Sequence, residues 1–329
     1  MGVDLDRFVD SLKAAAEPSR LRILALLGQG DLTVSDLTEI LGQSQPRVSR
    51  HLRLLSEAAL ISRYQEGSWA FFRLADAMRE FVLGLVGRIA TDDPQLARDR
   101  ERLGVVKQRR QTRAADYFSR NAESWDAIRS LHAPDAAVES ALVEAVGTRP
   151  FQAMLDLGTG TGRMLEIFAP LYRRGVGLDL SREMLSVARA NLDRAGLPHA
   201  QVRQGDLFAA PVDRDAFDLV SMHQVLHYLD DPAAAIREAA KYLRPSGRLV
   251  VVDFETHGLE FLREAHAHAR LGFSDAQVAE WFAKAALEAE EPRRIEAEGR
   301  DKLTVKLWIG RDPRLLIAEP FSQNSRELA

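Results

Sequence analysis

Leu155-Asp156-Leu157-Gly158-Thr159-Gly160-Thr161-Gly162 decides how the chain is read. An apolar run, residues 151–155, leads into it, and Met164, Leu165, Ile167 and Phe168 follow at helical spacing. The order is strand, glycine turn, helix. Glycine has no Cβ, so the backbone turns sharply and a ligand approaches closely. The spacing is GxGxG, not the GxGxxG of a dinucleotide-binding turn. Asp156 stands just before the first glycine. A carboxylate there repels a pyrophosphate and suits a cationic ligand. Taken alone, the turn leaves another nucleotide-binding Rossmann domain open.

Strands are expected on either side of it. Gly175-Val176-Gly177-Leu178-Asp179 reads as a strand ending in an acid. That acid lies about 20 residues past the glycines, where a carboxylate can bind two ribose hydroxyls. Ser181 is placed to cap a helix with the apolar face Met184, Leu185, Ala188 and Leu192. Residues 200–203 form a third strand that ends at Gly205-Asp206-Leu207, 217–222 a fourth, and 248–253 a fifth behind the turn Pro245-Ser246-Gly247. Residues 303–309 are expected as a last, antiparallel strand. Near-continuous apolar strands alternating with amphipathic helices predict a mostly parallel sheet covered on both faces. Asp156, Asp179 and Asp206 then fall at its carboxyl edge, where open α/β sheets bind ligands.

This set resembles the class I S-adenosylmethionine-dependent methyltransferases. The resemblance implies a Rossmann-like domain with a seven-stranded, mostly parallel sheet. It also implies a pocket for S-adenosylmethionine or S-adenosylhomocysteine lined by Asp156, Gly158, Gly160, Gly162, Asp179, Leu180, Asp206, Leu207 and His223, with Asp206 on the adenine amino group. S-adenosylmethionine carries a sulfonium and an ammonium and no phosphate, so it needs acceptors, which the carboxylates supply. Methyl transfer is an in-line displacement that rests on alignment, and a base helps only where the acceptor loses a proton. His223 is the candidate base or substrate contact; His227 is read as packing with Tyr228. His266 and His268 stand two apart in an expected helix, where they do not share a face. Trp281 and Phe282 are read as acceptor pocket or core.

The first ninety residues read differently. Glu17-Pro18 opens a helix that Gly28 ends; Thr33-Val34-Ser35-Asp36 opens a second that Gly42 stops; Ser44 is placed to cap a third, to about residue 58. Two short helices joined by a tight turn are a helix-turn-helix. On the third helix Val48, Leu52 and Leu55 share one face. Arg50 and Arg53 then point outward, with Arg47 and Ser49 on the flanks and Gln45 in the first turn. Residues 40–56 contain no acid, which gives a local basic footprint on a near-neutral body. Two β-like runs, 60–64 and 69–74, are joined by Gln65-Glu66-Gly67-Ser68 into a wing that carries Arg63 and Arg73.

The series resembles the winged helix of ArsR-type repressors over residues 8–85. It rests on Ala16-Glu17-Pro18-Ser19-Arg20-Leu21-Arg22-Ile23-Leu24, on Ser44-Gln45-Pro46-Arg47-Val48-Ser49-Arg50-His51-Leu52, and on the wing at Gly67. The resemblance implies operator DNA bound through Gln45, Arg47, Ser49, Arg50, Arg53, Arg63 and Arg73. It also implies a homodimer built on a helix over 77–89. Metal-sensing members carry a cysteine pair before the recognition helices. Thr33 and Ser35 stand in that stretch here, and neutral hydroxyls do not hold soft metals.

The whole chain bounds the rest. Its 329 residues suggest two or three domains, and 46% hydrophobic residues suffice for ordinary cores. The net charge of −4 gives no global signature of nucleic-acid binding. With no cysteine, disulfides, thiolate zinc sites and cysteine nucleophiles are excluded, and no metal is expected. No apolar run reaches a bilayer span and no signal-peptide core is present, so a cytoplasmic protein without a membrane partner is expected. The domains expected are a winged helix over 1–90, a helical connector and possible cofactor lid over 91–145, a methyltransferase-like domain over 146–313, and a tail over 314–329. Within the connector, 95–113 reads as a charged helix with a basic end at Lys107, Arg109, Arg110 and Arg113. Tyr117, Phe118 and Trp125 are lid candidates. The function expected is a transcription regulator whose second half binds S-adenosylmethionine or S-adenosylhomocysteine as effector. The alternative is an active methyltransferase of a small-molecule acceptor, with the winged helix as dimer scaffold or feedback control.

Overall fold

The computed structural model describes residues 4–66, 69–122, 135–296 and 303–315. They fall into two units. The first joins Met1–Trp125 to two later stretches, Val225–Pro232 and Asp253–Phe273. The second holds Asp126–Gln224, Ala233–Val252 and Ser274–Ala329.

In the first unit α1 (Leu5–Ala15), α2 (Pro18–Leu27), α3 (Val34–Leu41) and α4 (Gln45–Glu57) start and stop at caps. The Glu17 side chain caps α2, with Pro18 in the first turn, where a missing N–H costs nothing. Thr33 and Asp36 cap α3 reciprocally, and Gly42 closes it in the left-handed conformation. Ser44, expected to cap α4, makes no side-chain cap hydrogen bond. The Arg47 N–H, which such a cap would bind, donates instead to the Ser44 carbonyl at 3.0 Å. A three-stranded antiparallel sheet, order β1-β3-β2, is formed by β1 (Leu32–Thr33), β2 (Ile61–Glu66) and β3 (Trp69–Leu74). The Gly67 turn lies outside the described residues. Ile23, Leu24, Leu37, Ile40, Val48, Leu52 and Leu55 are buried in one core with Phe72 and Leu74 of β3. Each such side chain contributes roughly 1.5–3 kcal/mol.

A short 3-10 turn and then α5 (Arg79–Val86) occupy the stretch expected as one longer helix over 77–89; Gly87 follows at its end. Asp93 caps α6 (Pro94–Asn121), which runs well beyond the charged stretch expected to be helical. This helix is tied to the helix-turn-helix. Asp99, 1% exposed, accepts two hydrogen bonds from Arg22 at 2.6 and 2.7 Å. Arg102 donates to the Ile40 carbonyl and Lys107 to that of Gln29, while Arg109 forks onto Glu39. Lys107 and Arg109 are therefore engaged with α3 and the turn before it. The side chains of Arg110 and Arg113 lie outside the described residues.

The second unit is a sheet in the order β10-β11-β8-β7-β4-β5-β6, with β9 also paired to β11. Five strands run parallel: β4 (Phe151–Leu157), β5 (Tyr172–Asp179), β6 (Ala200–Gln204), β7 (Phe217–His223) and β8 (Leu243–Phe254). β9 (Glu288–Ala289) and β10 (Arg293–Ile295) pair antiparallel with β11 (Val305–Arg311). The sheet thus has eight strands, one more than expected, because strands of two or three residues show no alternation to read. The chain order turns at β4, whose neighbours are β5 and β7. Ligands bind beyond the carboxyl ends of strands at such a switch point. The remaining helices are α7 (Asp135–Val146), α8 (Arg163–Phe168), α9 (Arg182–Arg194), α10 (Pro232–Ala240), α11 (Phe261–Ala265) and α12 (Asp275–Lys284). Trp281 and Phe282 on α12 are buried, and a Cβ at Gly310 of β11 would meet Phe282 at 3.1 Å. Both therefore belong to the core.

Replacing Asp99 by Ala leaves the Arg22 guanidinium desolvated and unpaired, at an expected cost of about 3–5 kcal/mol. Native-state hydrogen exchange of the α2 and α6 amides measures it; unchanged protection there would refute the assignment of this pair as the tie between α2 and α6.

Candidate functional site

The glycine turn requires its glycines. Gly158, Gly160 and Gly162 have φ of 71°, 51° and 87°, a region in which a side chain is strained. The turn also consumes its own donors. Gly158 N and Thr159 N both donate to the Leu178 carbonyl, at 2.8 and 2.9 Å, and Gly162 N donates to Thr159 O at 2.8 Å. Gly160 N donates to Asp179 Oδ2 at 2.9 Å. A phosphate-binding turn aims such N–H groups at its ligand. Here these four are committed inside the fold, which leaves acceptors rather than donors to define the site.

The three predicted carboxylates occupy three different environments. Asp156 is 1% exposed; its Oδ1 accepts from Ser221 Oγ at 2.6 Å, across the β4–β7 pair that sets these residues opposite each other. Asp179 is half-buried at the end of β5, and its Oδ1 accepts from Ser181 N at 2.9 Å. Burial pushes its pKa above the ordinary carboxylate value despite the backbone bonds from Ser181, Gly160 and Leu180. A carboxylate oxygen has two lone pairs, so Asp179 can accept hydroxyls as well. Asp206 is exposed and accepts from Phe208 N at 2.9 Å. Leu180 is exposed beside Asp179, and Leu207 is buried beside Asp206.

Two features of this edge were not read from the sequence. Thr159 Oγ1 is buried and makes no hydrogen bond within the described residues, so it is available to a ligand hydroxyl or amine. Gly177 gives that side chain its place, since a Cβ there would sit 2.6 Å from Thr159 Oγ1. Beyond β7, His223 is half-buried, and Gln224 has φ of 53° while its N–H donates to Val252 O at 2.7 Å. Such a backbone costs on the order of 1–3 kcal/mol and gathers at functional sites. The donor set, with acceptors around a donor-poor turn, fits an adenosyl ligand that lacks phosphate.

The first unit holds a second constellation. His227 and Asp253, 1% and 0% exposed, pair through Nδ1 and Oδ1 at 2.8 Å. Asp253 also accepts from the His227 and Phe254 N–H groups. A carboxylate so placed accepts a hydrogen bond from Nδ1–H, which leaves Nε2 as an acceptor. Nε2 is buried and makes no hydrogen bond within the described residues. Tyr228, His268 and Phe254 rings lie 4.0, 4.2 and 4.9 Å from the imidazole centroid, and Phe118 packs edge-on to Tyr228. Of the other lid candidates, Trp125 and the Tyr117 side chain lie outside the described residues. His266 follows the end of α11, so it and His268 are not in a helix as expected; their rings are 6.4 Å apart. Among the described residues no group of three or more His, Asp or Glu is arranged to hold a metal, and no helix is long and apolar enough to cross a membrane.

On α4 Val48, Leu52 and Leu55 are buried while Gln45, Arg47, Ser49, Arg50 and Arg53 are exposed, so one helix presents a basic face. Arg53 lies 3.6 Å from Glu57 one turn on. In the wing Arg63 is exposed and donates to Gln65. Arg73 is half-buried, with its guanidinium 5.6 Å from the Tyr64 ring centre. His51, also on α4, is buried, 3.6 Å from Glu17.

Comparison with known proteins agrees with this division. Residues 17–63 match the model of the bacterial regulatory protein arsR family, and residues 155–251 match that of a methyltransferase domain. The chain therefore joins an ArsR-type helix-turn-helix region to a Rossmann-like methyltransferase domain. Among individual proteins, it is 36% identical over 129 residues to a 37.1 kDa protein of a Streptomyces fradiae transposon, a match covering 38% of this chain and 37% of the other. It is 34% identical over 113 residues to a demethylmenaquinone methyltransferase of Renibacterium salmoninarum, covering 34% and 46%. The N-methyltransferase NodS of Bradyrhizobium japonicum, solved with S-adenosyl-L-homocysteine, shares the fold, with a TM-score of 0.51 at 21% identity over 61% of this chain and 99% of NodS. The chain spans about half or less of the length of the two curated relatives named here.

Burial pushes the His51 pKa below its usual 6.5; Glu17 opposes the shift, and Arg20, Arg47 and Arg50 add to it. The unfolded chain then binds a proton that the folded chain refuses, so stability falls as pH drops through 6.5 towards the folded value. Urea midpoints taken between about pH 7.5 and 5.5 should fall more steeply for the native protein than for His51→Leu. Equal slopes would show that the ring is not buried as described.

Proposed function

We propose that the protein is a dimeric, DNA-binding transcription regulator whose second unit binds S-adenosylmethionine or S-adenosylhomocysteine as effector. The observation that carries the ligand class is the glycine turn, four of whose five N–H groups are engaged within the fold while Asp179 and Asp206 keep acceptor capacity. This disfavours a phosphate and favours ribose hydroxyls, an amino group and an adenine amine. In this reading Gly158, Gly160 and Gly162 let the ligand approach, Asp179 takes the ribose, Asp206 the adenine amine, and Leu180, Leu207 and His223 line the pocket. Asp156 acts through Ser221, from inside the sheet. NodS, a relative in fold, is solved with S-adenosylhomocysteine.

The DNA-reading role rests on the basic face of α4, with Gln45, Arg47, Ser49, Arg50 and Arg53 towards the major groove and Arg63 of the wing on the flank. Arg73 contributes less because it packs on Tyr64. Dimerisation is supported by large apolar side chains left exposed on two helices: Leu5, Phe8 and Leu12 along one stripe of α1, and Leu83 on α5. Phe8 meets Phe81 edge-on at 5.2 Å, which makes the two helices one surface.

A second reading is an active methyltransferase of a small-molecule acceptor, with His223, half-buried at the end of β7 in the same unit as the glycine turn, as the candidate base.

Calorimetry on the full chain tests the main reading. Both adenosyl compounds should bind, and Asp179→Ala should weaken them about 10- to 100-fold, as loss of hydrogen bonds to a charged group predicts. Arg50→Ala should lose about 1–3 kcal/mol of sequence-specific DNA affinity. No heat with either compound on folded protein would sink the ligand assignment, and full retention of DNA affinity would sink that of α4. Turnover on a phenolic acceptor that disappears in His223→Gln would decide for the enzyme.

A further inference from the structure

The outer face of the wing is covered from within the first unit. Tyr64 and Phe71 stand opposite each other across β2 and β3 and stack at 5.6 Å between ring centres. Phe71 is 2% exposed, yet it does not belong to the hydrophobic core of the winged helix, to which β3 contributes Phe72 and Leu74. Arg270 covers it. This residue, 3% exposed, lies with its guanidinium 4.5 Å from the Phe71 ring centre. Its Nη1 donates to the Tyr64 hydroxyl at 3.0 Å and its Nη2 to the Asp230 carbonyl at 2.5 Å. The Tyr64 hydroxyl in turn donates to Asp31 Oδ2, on the short loop before β1. A guanidinium this deeply buried depends on such partners, and each partner here orders one neighbour.

What holds Arg270 is equally fixed. The Ala269 and Arg270 N–H groups both donate to the His227 carbonyl at 2.9 Å, and His227 is held by Asp253. Phe273 N donates to Phe254 O and His257 N to Leu271 O, lacing the two strands of this stretch together. Gly272, with φ of 81°, permits the lacing, because a Cβ there would sit 2.2 Å from Glu255 O. In the chain Val225 follows directly on Gln224 beyond β7, and Asp253 on Val252 within β8. The two stretches that grip the wing are therefore the immediate continuations of two parallel strands.

We propose that Arg270 clamps the outer face of the wing, so that the stretches leaving β7 and β8 set the order of the wing. Its regulatory meaning rests on the reading of the chain as a ligand-responsive regulator; its physical content does not. The wing is thereby an occupied surface, and DNA meets it only through residues outside the Tyr64–Phe71 face.

Hydrogen exchange on the full chain tests the clamp. In Arg270→Met the amides of β2 and β3 should exchange at least about tenfold faster, with α2 and β4 unchanged. Tyr64→Phe, which keeps the ring and removes only the hydroxyl, should accelerate the same amides by a smaller factor, and it serves if Arg270→Met does not fold. Wing exchange unchanged in the folded variants overturns the proposal. A separate arm adds S-adenosylhomocysteine. If it binds and alters wing exchange in the native protein but not in Arg270→Met, the clamp is also the coupling element. If it binds and leaves the native wing unaltered, the effector reading fails while the clamp stands on the first comparison.

Discussion

The hydrogen bond from Gly160 N to Asp179 Oδ2 is the interaction on which the second unit turns. It joins the middle of a left-handed glycine loop to the end of the adjacent strand. The loop has no regular ladder to hold it, and its conformation is one that only glycine adopts cheaply. One carboxylate therefore does two things. It fixes the loop next to the switch point of the sheet, and it presents its remaining lone pairs at the same edge. The cost is visible in the carboxylate itself, whose burial raises its pKa against three backbone bonds. A charge held there against desolvation is an acceptor prepared for hydroxyl donors, which offset the cost when they arrive.

The first unit solves the opposite problem. Its helices are short, and helices of eight to thirteen residues are marginal without tertiary support. The support comes from a core of aliphatic side chains and from α6, a helix whose residues are mostly polar. That helix is held by the buried Arg22–Asp99 pair and by arginine and lysine donors on the carbonyls of Ile40 and Gln29. Basic residues that look available to DNA in the sequence are in fact capping helices and turns. The arginines of α4 differ because their neighbours on the inward face are apolar, and nothing in the core offers them a carbonyl.

What was legible in the sequence follows the range of the interactions. Caps at Glu17 and Thr33, the stops at Gly28 and Gly42, the inward stripe of α4 and the glycine turn are set within a few residues, and each was read correctly. The five parallel strands announced themselves by apolar runs. The failures are of two kinds. β9 and β10 are too short to carry a pattern, and at Ser44 the Arg47 N–H goes to the backbone carbonyl rather than to the side chain. The rest are long-range pairs. Asp99 with Arg22 spans 77 positions, His227 with Asp253 spans 26, and Arg270 with Tyr64 spans 206. Nothing in the local neighbourhood of any of these residues points to its partner. His227 illustrates this best: read alone it is a packing residue after a strand, and only the fold brings the carboxylate that fixes its tautomer.

A ligand changes DNA affinity only by binding two states of the DNA-reading element differently, and such couplings are typically about 1–3 kcal/mol. An element that transmits them must be bistable on that scale. The contacts of Arg270 on the wing include a hydrogen bond to the Tyr64 hydroxyl and a cation–π contact with Phe71. A hydrogen bond from a charged donor contributes about 1.5–3 kcal/mol net, and a desolvated cation–π contact about 2. They hold the wing from its outer face, while the core beneath it is separately held by Phe72 and Leu74. A wider apolar seam at the same place would have made the wing rigid, and a surface ion pair would have left it uncoupled.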